Sequence, residues 1–288
     1  MIPIRRGAGV GAAPRAREKA PRRVLVASAW LVLVVLAALF ASWLPIQDPL
    51  AQNLDNMLAP PSLQHWFGTD SLGRDVFSRS LHGLRITLLV SLGAVTLALL
   101  AGGTIGICAG YFRGLLERAI LLGVNVLLAF PPLVLVIALA AYPGHALPKV
   151  TAALAIVFVP AVTRLARVGT LRISGQAFVL AARAAGMRPA RLICTELLPN
   201  LLPPLLAYGL LMVSLAALAE AALGFLGLGV PPPVPTLGAM MAAEQSRALE
   251  APHAVFFPGG VLLLTTLALN LVGEALQRRL DDRAGNAG

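Results

Sequence analysis

The sequence predicts an all-α integral membrane protein with six transmembrane helices and both termini on the cytoplasmic side. Three observations carry that expectation. First, 58% of the 288 residues are hydrophobic and only 12% are charged, against about 45–50% and about 25% in an ordinary soluble domain. So few charges cannot cover a globule of this size with polar surface, and so apolar a chain is not a disordered one. Second, uncharged apolar runs of about 20 residues recur along the chain, the length a helix needs to cross the hydrocarbon core. Third, the basic residues are distributed unevenly between those runs.

The elements follow in order. Residues 1–23 are rich in Gly, Ala, Pro and Arg and read as a basic, disordered cytoplasmic tail near anionic lipid headgroups. The first span is expected at 24–44. Its apolar stretch is longer than the roughly 7–15-residue core of a cleaved signal peptide, so a retained helix is expected. Residues 45–85 form a periplasmic segment. A core of five further spans is expected over 86–278. Within it the second span is 86–110, and the third is 119–142, interrupted by Pro131 and Pro132. The fourth runs from Val150 past Arg164 and Arg167, whose long side chains can snorkel to the surface. The fifth is about 197–219 and the sixth 254–273. Residues 279–288 form a second cytoplasmic tail.

One further uncharged run, 221–243, imitates a span. It holds Gly224, Gly227, Gly229, Pro231, Pro232, Pro233 and Pro235. A lipid-exposed helix cannot hold so many breakers, because the freed backbone groups find no water. Irregular backbone or short helices packed on protein are expected there. With six spans, 18 basic residues fall inside and five outside. The net charge of +10 is thus a topological imbalance, and a nucleic-acid partner is not needed to explain it.

Polar residues concentrate in three segments. The outer one contains Gly68, Thr69, Asp70, Gly73, Arg74 and Asp75. It reads as a structured loop capping the helix bundle or as a substrate-contacting loop. The inner one, 164–200, is too apolar for a free loop and too charged for a span. Ala177–Ala185 favours helix, Gly186 suits a left-handed helix end and Pro189 suits the first turn of the next helix. Two short helices joined at Gly186 are expected, either docking into a partner's groove or resting on lipid headgroups. The third segment begins at Glu220, an ionisable residue near bilayer depth and hence a functional candidate, although it can also sit at the outer interface. In the second predicted span Gly102, Gly106 and Gly110 repeat at every fourth position. That spacing lets two helices approach closely, within this chain or between subunits. Glu274 and Arg278 stand at i, i+4, a helix-supporting pair.

Some absences guide the reading of function. Lys19 and Lys149 are the only lysines and neither lies in a phosphate-binding G-x-x-x-x-G-K-[ST] loop. No catalytic or metal-ligand motif is recognisable: His65 and His82 have no ligand spacing, and Cys108 and Cys194 form no Cys-x-x-Cys pair. Neither a metal nor a cofactor is expected. A membrane scaffold without transport activity, an intramembrane enzyme and a channel are the competing classes.

The stretches HWFGTDSLGRDVFSRSLHGLRITL at 65–88, EAALGFLGLGVPPP at 220–233 and NLVGEALQRRLD at 270–281 resemble the inner-membrane permeases of binding-protein-dependent ABC importers. More narrowly, they resemble the second permease of the dipeptide/oligopeptide/nickel group. The resemblance spans about 24–283. The inner segment is similar to the family's coupling motif, E-A-A-x-x-x-G followed by nine residues and I-x-L-P. Ala181, Ala182, Gly186, Leu198 and Pro199 match it, while Leu180 stands at the Glu position and Glu196 at the Ile position. The resemblance implies the type I permease fold of ABC importers in a bacterial inner membrane. Its implied partners are a homologous second permease, two ATP-binding subunits that dock around 177–199, a soluble substrate-binding protein and membrane lipid. ATP hydrolysis would then occur on the separate subunits. Glu220, Gly224, Gly227 and Gly229 become candidates for a pathway or gate, and the substrate a di- or oligopeptide, a nickel complex or glutathione.

Overall fold

The computed structural model describes residues 22–141 and 146–286, all helices and connecting loops. Helix α1, Arg22–Leu39, begins two residues earlier than the span expected at 24 and ends five before 44. The rest of the tail expected at 1–23 lies outside the described residues. After a loop with one 3-10 turn at Leu54–Asn56, α2 runs from Val76 to Phe112. It therefore absorbs the last ten residues of the segment expected to be periplasmic. The physical reason is a cap: Asp75 is extended and accepts the Ser78 backbone N–H at 2.7 Å, which satisfies a free donor of the first turn and starts the helix early.

Helices α3 (Gly114–Ala129) and α4 (Pro132–Ala140) replace the interrupted third span and are bent by 87° relative to each other. Pro131 and Pro132 explain the break, since proline removes a ladder donor and clashes with the preceding turn. Helix α5, Ala146–Ser174, is continuous through Pro160 and carries Arg164 and Arg167 on its last turns. These arginines do not simply snorkel. Arg167 pairs with Glu117 and Arg164 donates to Asn125 Oδ1 at 2.8 Å, fastening α5 to α3. Helices α6 (Ala177–Ala184) and α7 (Pro189–Leu192) follow. Through a π turn at Ile193–Leu197, α7 passes into α8, Leu198–Phe225. Only the stretch from Gly175 to Arg188 therefore leaves the spanning helices, less than the loop expected over 164–200. Helix α9 is Leu237–Glu244, and α10, Pro252–Asn286, continues through most of the stretch expected as a tail.

Among the described residues, five helices are long and apolar enough to cross a bilayer, and a sixth crossing exists if α3 and α4 act as one broken span. The glycine-and-proline run supplies none of them. Its first residues finish α8, residues 226–236 are irregular, and α9 packs against α8 and α10.

The centre of the bundle is the α2–α5 pair. A Cβ on Gly102 would lie 2.8 Å from the Val159 carbonyl oxygen, one on Gly110 would lie 2.8 Å from that of Arg167, and one on Gly106 would press on that of Thr163. The partner positions advance together, so the two helices run parallel, and only side chains as small as hydrogen allow this approach. Helix α8 runs antiparallel to α2: Gly209 meets Leu99, and Glu220 meets Thr87. Helix α10 in turn runs antiparallel to α8, with Ser214 Oγ donating to the Thr266 carbonyl at 3.2 Å and Leu211 lying against Gly273. Helix α1 closes one side through Val34 and Ala38, which pack with Leu84, Leu88 and Leu262. Large apolar side chains remain exposed on the outward faces, among them Leu33 on α1, Leu100 on α2 and Leu122 on α3. Such a surface suits lipid or another apolar subunit rather than water.

Candidate functional site

Two ends and one buried point of the bundle carry the residues singled out above. At the first end the loop before α2 is bound into a dense polar cap. Gly73 has φ +68° and its Cβ would run into the Asn53 carbonyl; Gly68 has φ +72° and sits against Ala59 and His253. Both positions exclude other residues by conformation and by space. Thr69 Oγ1 receives the Ala59 N–H at 2.8 Å, while its carbonyl lies 3.0 Å from the His253 ring. Asp70 accepts from the backbone of Leu72 and Arg74 and from Arg74 Nε at 2.7 Å, with Arg79 3.4 Å away. The second oxygen system, Asp75, caps α2 and stands 3.0 Å from His65 Nδ1.

One partner of the cap was not legible beforehand. Glu244, at the end of α9, accepts from Ser71 Oγ at 2.6 Å and from Ser71 N at 3.2 Å. The two residues are 173 positions apart, and no local pattern links them. Asp70, Arg74, Arg79 and Glu244 line a cavity of about 10 Å³, room for a single water. Two acids and two bases balance there, which is how buried charge is tolerated. Gly68, Thr69, Asp70, Gly73, Arg74 and Asp75 thus come together in one unit whose polar groups mostly face each other.

The buried point is Glu220. It has no exposed surface, and one carboxylate oxygen accepts from Thr87 Oγ1 at 2.7 Å while the other has no protein partner. Gly224 and Gly229 sit where the end of α8 crosses the following loop and the start of α9. A Cβ on Gly229 would lie 2.8 Å from Gly224 Cα, and one on Gly224 would lie 3.0 Å from Thr236 Oγ1. Gly227 supplies the turn between them.

At the opposite end, α6 closes with two backbone bonds, Met187 N to Ala182 O at 3.1 Å and Gly186 N to Arg183 O at 3.0 Å, with Gly186 at φ +75°. This is the six-to-one and five-to-two pattern that ends a helix on a left-handed residue. Along α6 only Val179 is buried; Leu180 is 52% exposed, and Ala181 also points outward, whereas Ala182 is half-buried against the core. Leu198 and Pro199 are exposed at the start of α8. Proline at 199 has no N–H for the ladder, and the turn before it widens, Leu198 N bonding to Ile193 O. Leu192 and Leu197, both fully buried, anchor this turn in the core. Among the described residues no cluster of three or more potential metal ligands exists.

The fold superposes on a chain of the inward-facing MetNI methionine ABC transporter with a TM-score of 0.58, covering 69% of this chain and 94% of that one at 18% identity. The chain belongs to the family described as the binding-protein-dependent transport system inner membrane component, whose model matches residues 102–286. It is similar to the dipeptide transport system permease protein DppC of Alkalihalophilus pseudofirmus, 39% identical over 86% of this chain and 82% of that protein. It is equally similar to the di/tripeptide transport system permease protein DppC of Pseudomonas aeruginosa, 39% identical over 90% and 87%. The glutathione transport system permease protein GsiD of Escherichia coli is 37% identical over 93% and 88%. This protein is therefore an inner-membrane permease of the ABC importer class.

Proposed function

We propose that the chain forms half of the translocation pathway for di- or oligopeptides and pairs with a homologous permease. Two separate ATP-binding subunits hydrolyse ATP, and a soluble binding protein delivers the substrate from outside. Both termini and α6 lie on the cytoplasmic side, and the cap of residues 44–75 lies outside. Leu180, Ala181, Gly186, Leu198 and Pro199 meet the ATP-binding subunits; Ala182 faces the bundle and backs that contact. The Gly224–Gly229 crossing, held over Glu220, borders the outer gate of the pathway.

The observation that carries this reading is the outward face of α6, a short helix with one buried residue and, Arg183 apart, small or apolar exposed side chains. Such a helix offers shape rather than charge, which suits a groove in a partner. Leu180 in place of an acid fits that mode of contact. These three relatives are named for dipeptides, di- and tripeptides and glutathione, all short peptides, and this favours peptide over a nickel complex. A glutathione importer is the second reading, on the 37% identity to that permease.

The test is a pair of cysteines in the assembled transporter. Cysteine at Ala181 should cross-link to an ATP-binding subunit in a nucleotide-dependent way, and cysteine at Ala182 should not. Reconstituted vesicles should accumulate labelled dipeptide with ATP. No cross-link at either position, together with no uptake of any short peptide, overturns the proposal.

A further inference from the structure

The inner face of α6 touches the bundle at few places. Val179, Ala182 and Arg183 stand at i, i+3 and i+4, one face of the helix. Val179 is fully buried in the core cluster that holds Ile107, Ala166, Leu192 and Leu197. Arg183 is the only charged residue of α6, and among the described residues no carboxylate pairs with it. Its guanidinium carbon lies instead 4.8 Å from the centre of the Tyr111 ring, within the range of attraction between a cation and an aromatic face. Tyr111 is the penultimate residue of α2. It packs on the same core cluster and meets the Phe112 ring edge-on at 5.1 Å. Its neighbour Gly110 is seated on Arg167 and Thr170 of α5. A force on Tyr111 therefore reaches α2 at the end of the seam where α2 and α5 cannot slide apart.

We propose that Arg183 and Tyr111 are positioning residues for transport. They form a strut that passes displacement of α6 into the paired helices α2 and α5. The strut rests on the reading of α6 as the docking site of the ATP-binding subunits. It adds a second line of contact beside Val179, made by the one cation of α6, which is exposed to solvent along one side and lies over the Tyr111 ring on the other.

The experiment uses the full transporter in lipid vesicles, and the readout is peptide moved per ATP hydrolysed. Arg183→Gln and Tyr111→Leu should each lower that ratio about two- to fivefold, the loss expected for an exposed cation–ring contact, while the ATP-binding subunits stay bound. Tyr111→Phe keeps the ring and Arg183→Lys keeps the charge, so both should retain most of the ratio. The double variant Arg183→Gln/Tyr111→Leu should be no worse than either single one. If Tyr111→Leu prevents assembly, Arg183→Gln, at an exposed position, decides the question against Arg183→Lys. An unchanged ratio in Arg183→Gln overturns the strut, as does multiplication of the two losses in the double variant. Release of the ATP-binding subunits by Arg183→Gln also overturns it, because Arg183 would then be a docking residue. A missing cross-link from Ala181→Cys would instead sink the docking assignment, a separate result.

Discussion

The two ends of this bundle are built on opposite principles. At the end carrying the cap, Asp70, Asp75, Arg79 and Glu244 are each at most 6% exposed and bonded to partners from the loop, α2 and α9. At the other end α6 hangs on Val179, Ala182 and one cation–ring contact, and Arg183 is its one charged residue. Buried charge is costly unless paired, so the capped end has one well-defined arrangement and little freedom to depart from it. Small apolar contacts impose no such condition, so the α6 end can present itself to a partner. A permease that is rigid at one face and receptive at the other can convert a push on the receptive face into movement of whole helices.

Four substitutions can break or sharpen this contrast, in descending order of effect. Gly73→Ala should be the most damaging, since it meets both a left-handed backbone and the Asn53 carbonyl. We expect a loss of about 3 kcal/mol or more, seen as loss of folded protein in detergent; a normal unfolding temperature would show that the cap is loose. Asp70→Ala strands Arg74 and Arg79 beside Glu244 and should cost about 3 kcal/mol, measured by thermal unfolding of the purified chain. Gly186→Val has free space around it but must hold a positive φ, so about 1–2 kcal/mol is expected. Membrane insertion should be retained and uptake impaired; full ATP-coupled uptake would remove Gly186 from the account of the turn. Leu180→Glu, which restores the family's acid on an exposed position, should change stability by less than about 0.5 kcal/mol. A large drop there would mean that the outward face of α6 is packed after all.

The readability of the two ends from sequence also differs. Gly186 and Pro189 could be placed because a helix stop and a helix start are local chemistry, and the bonds closing α6 are all within five residues. The cap could not be assembled in advance, because Glu244 reaches Ser71 across 173 positions and Thr87 reaches Glu220 across 133. Helix ends were misjudged where a cap or a ladder outweighed hydropathy. The second span is expected only from 86, yet Asp75 starts α2 well ahead of that position. The fourth span is read as running past Arg164 and Arg167, and α5 does so, with those side chains held by Asn125 and Glu117.

By itself the sequence determined the class of protein, the apolar runs that become membrane helices, and the inability of the Gly224–Pro235 run to span. Those properties depend on the length and composition of neighbouring residues, which the chain carries in every conformation. The tertiary structure alone decided that Gly102, Gly106 and Gly110 meet α5 in parallel, that Glu220 is sealed against Thr87, and that Val179 and Ala182 seat α6 on the bundle with Arg183 over the Tyr111 ring. A repeat of small residues says that some backbone can come close. Which backbone comes close follows from how all the helices fill space together.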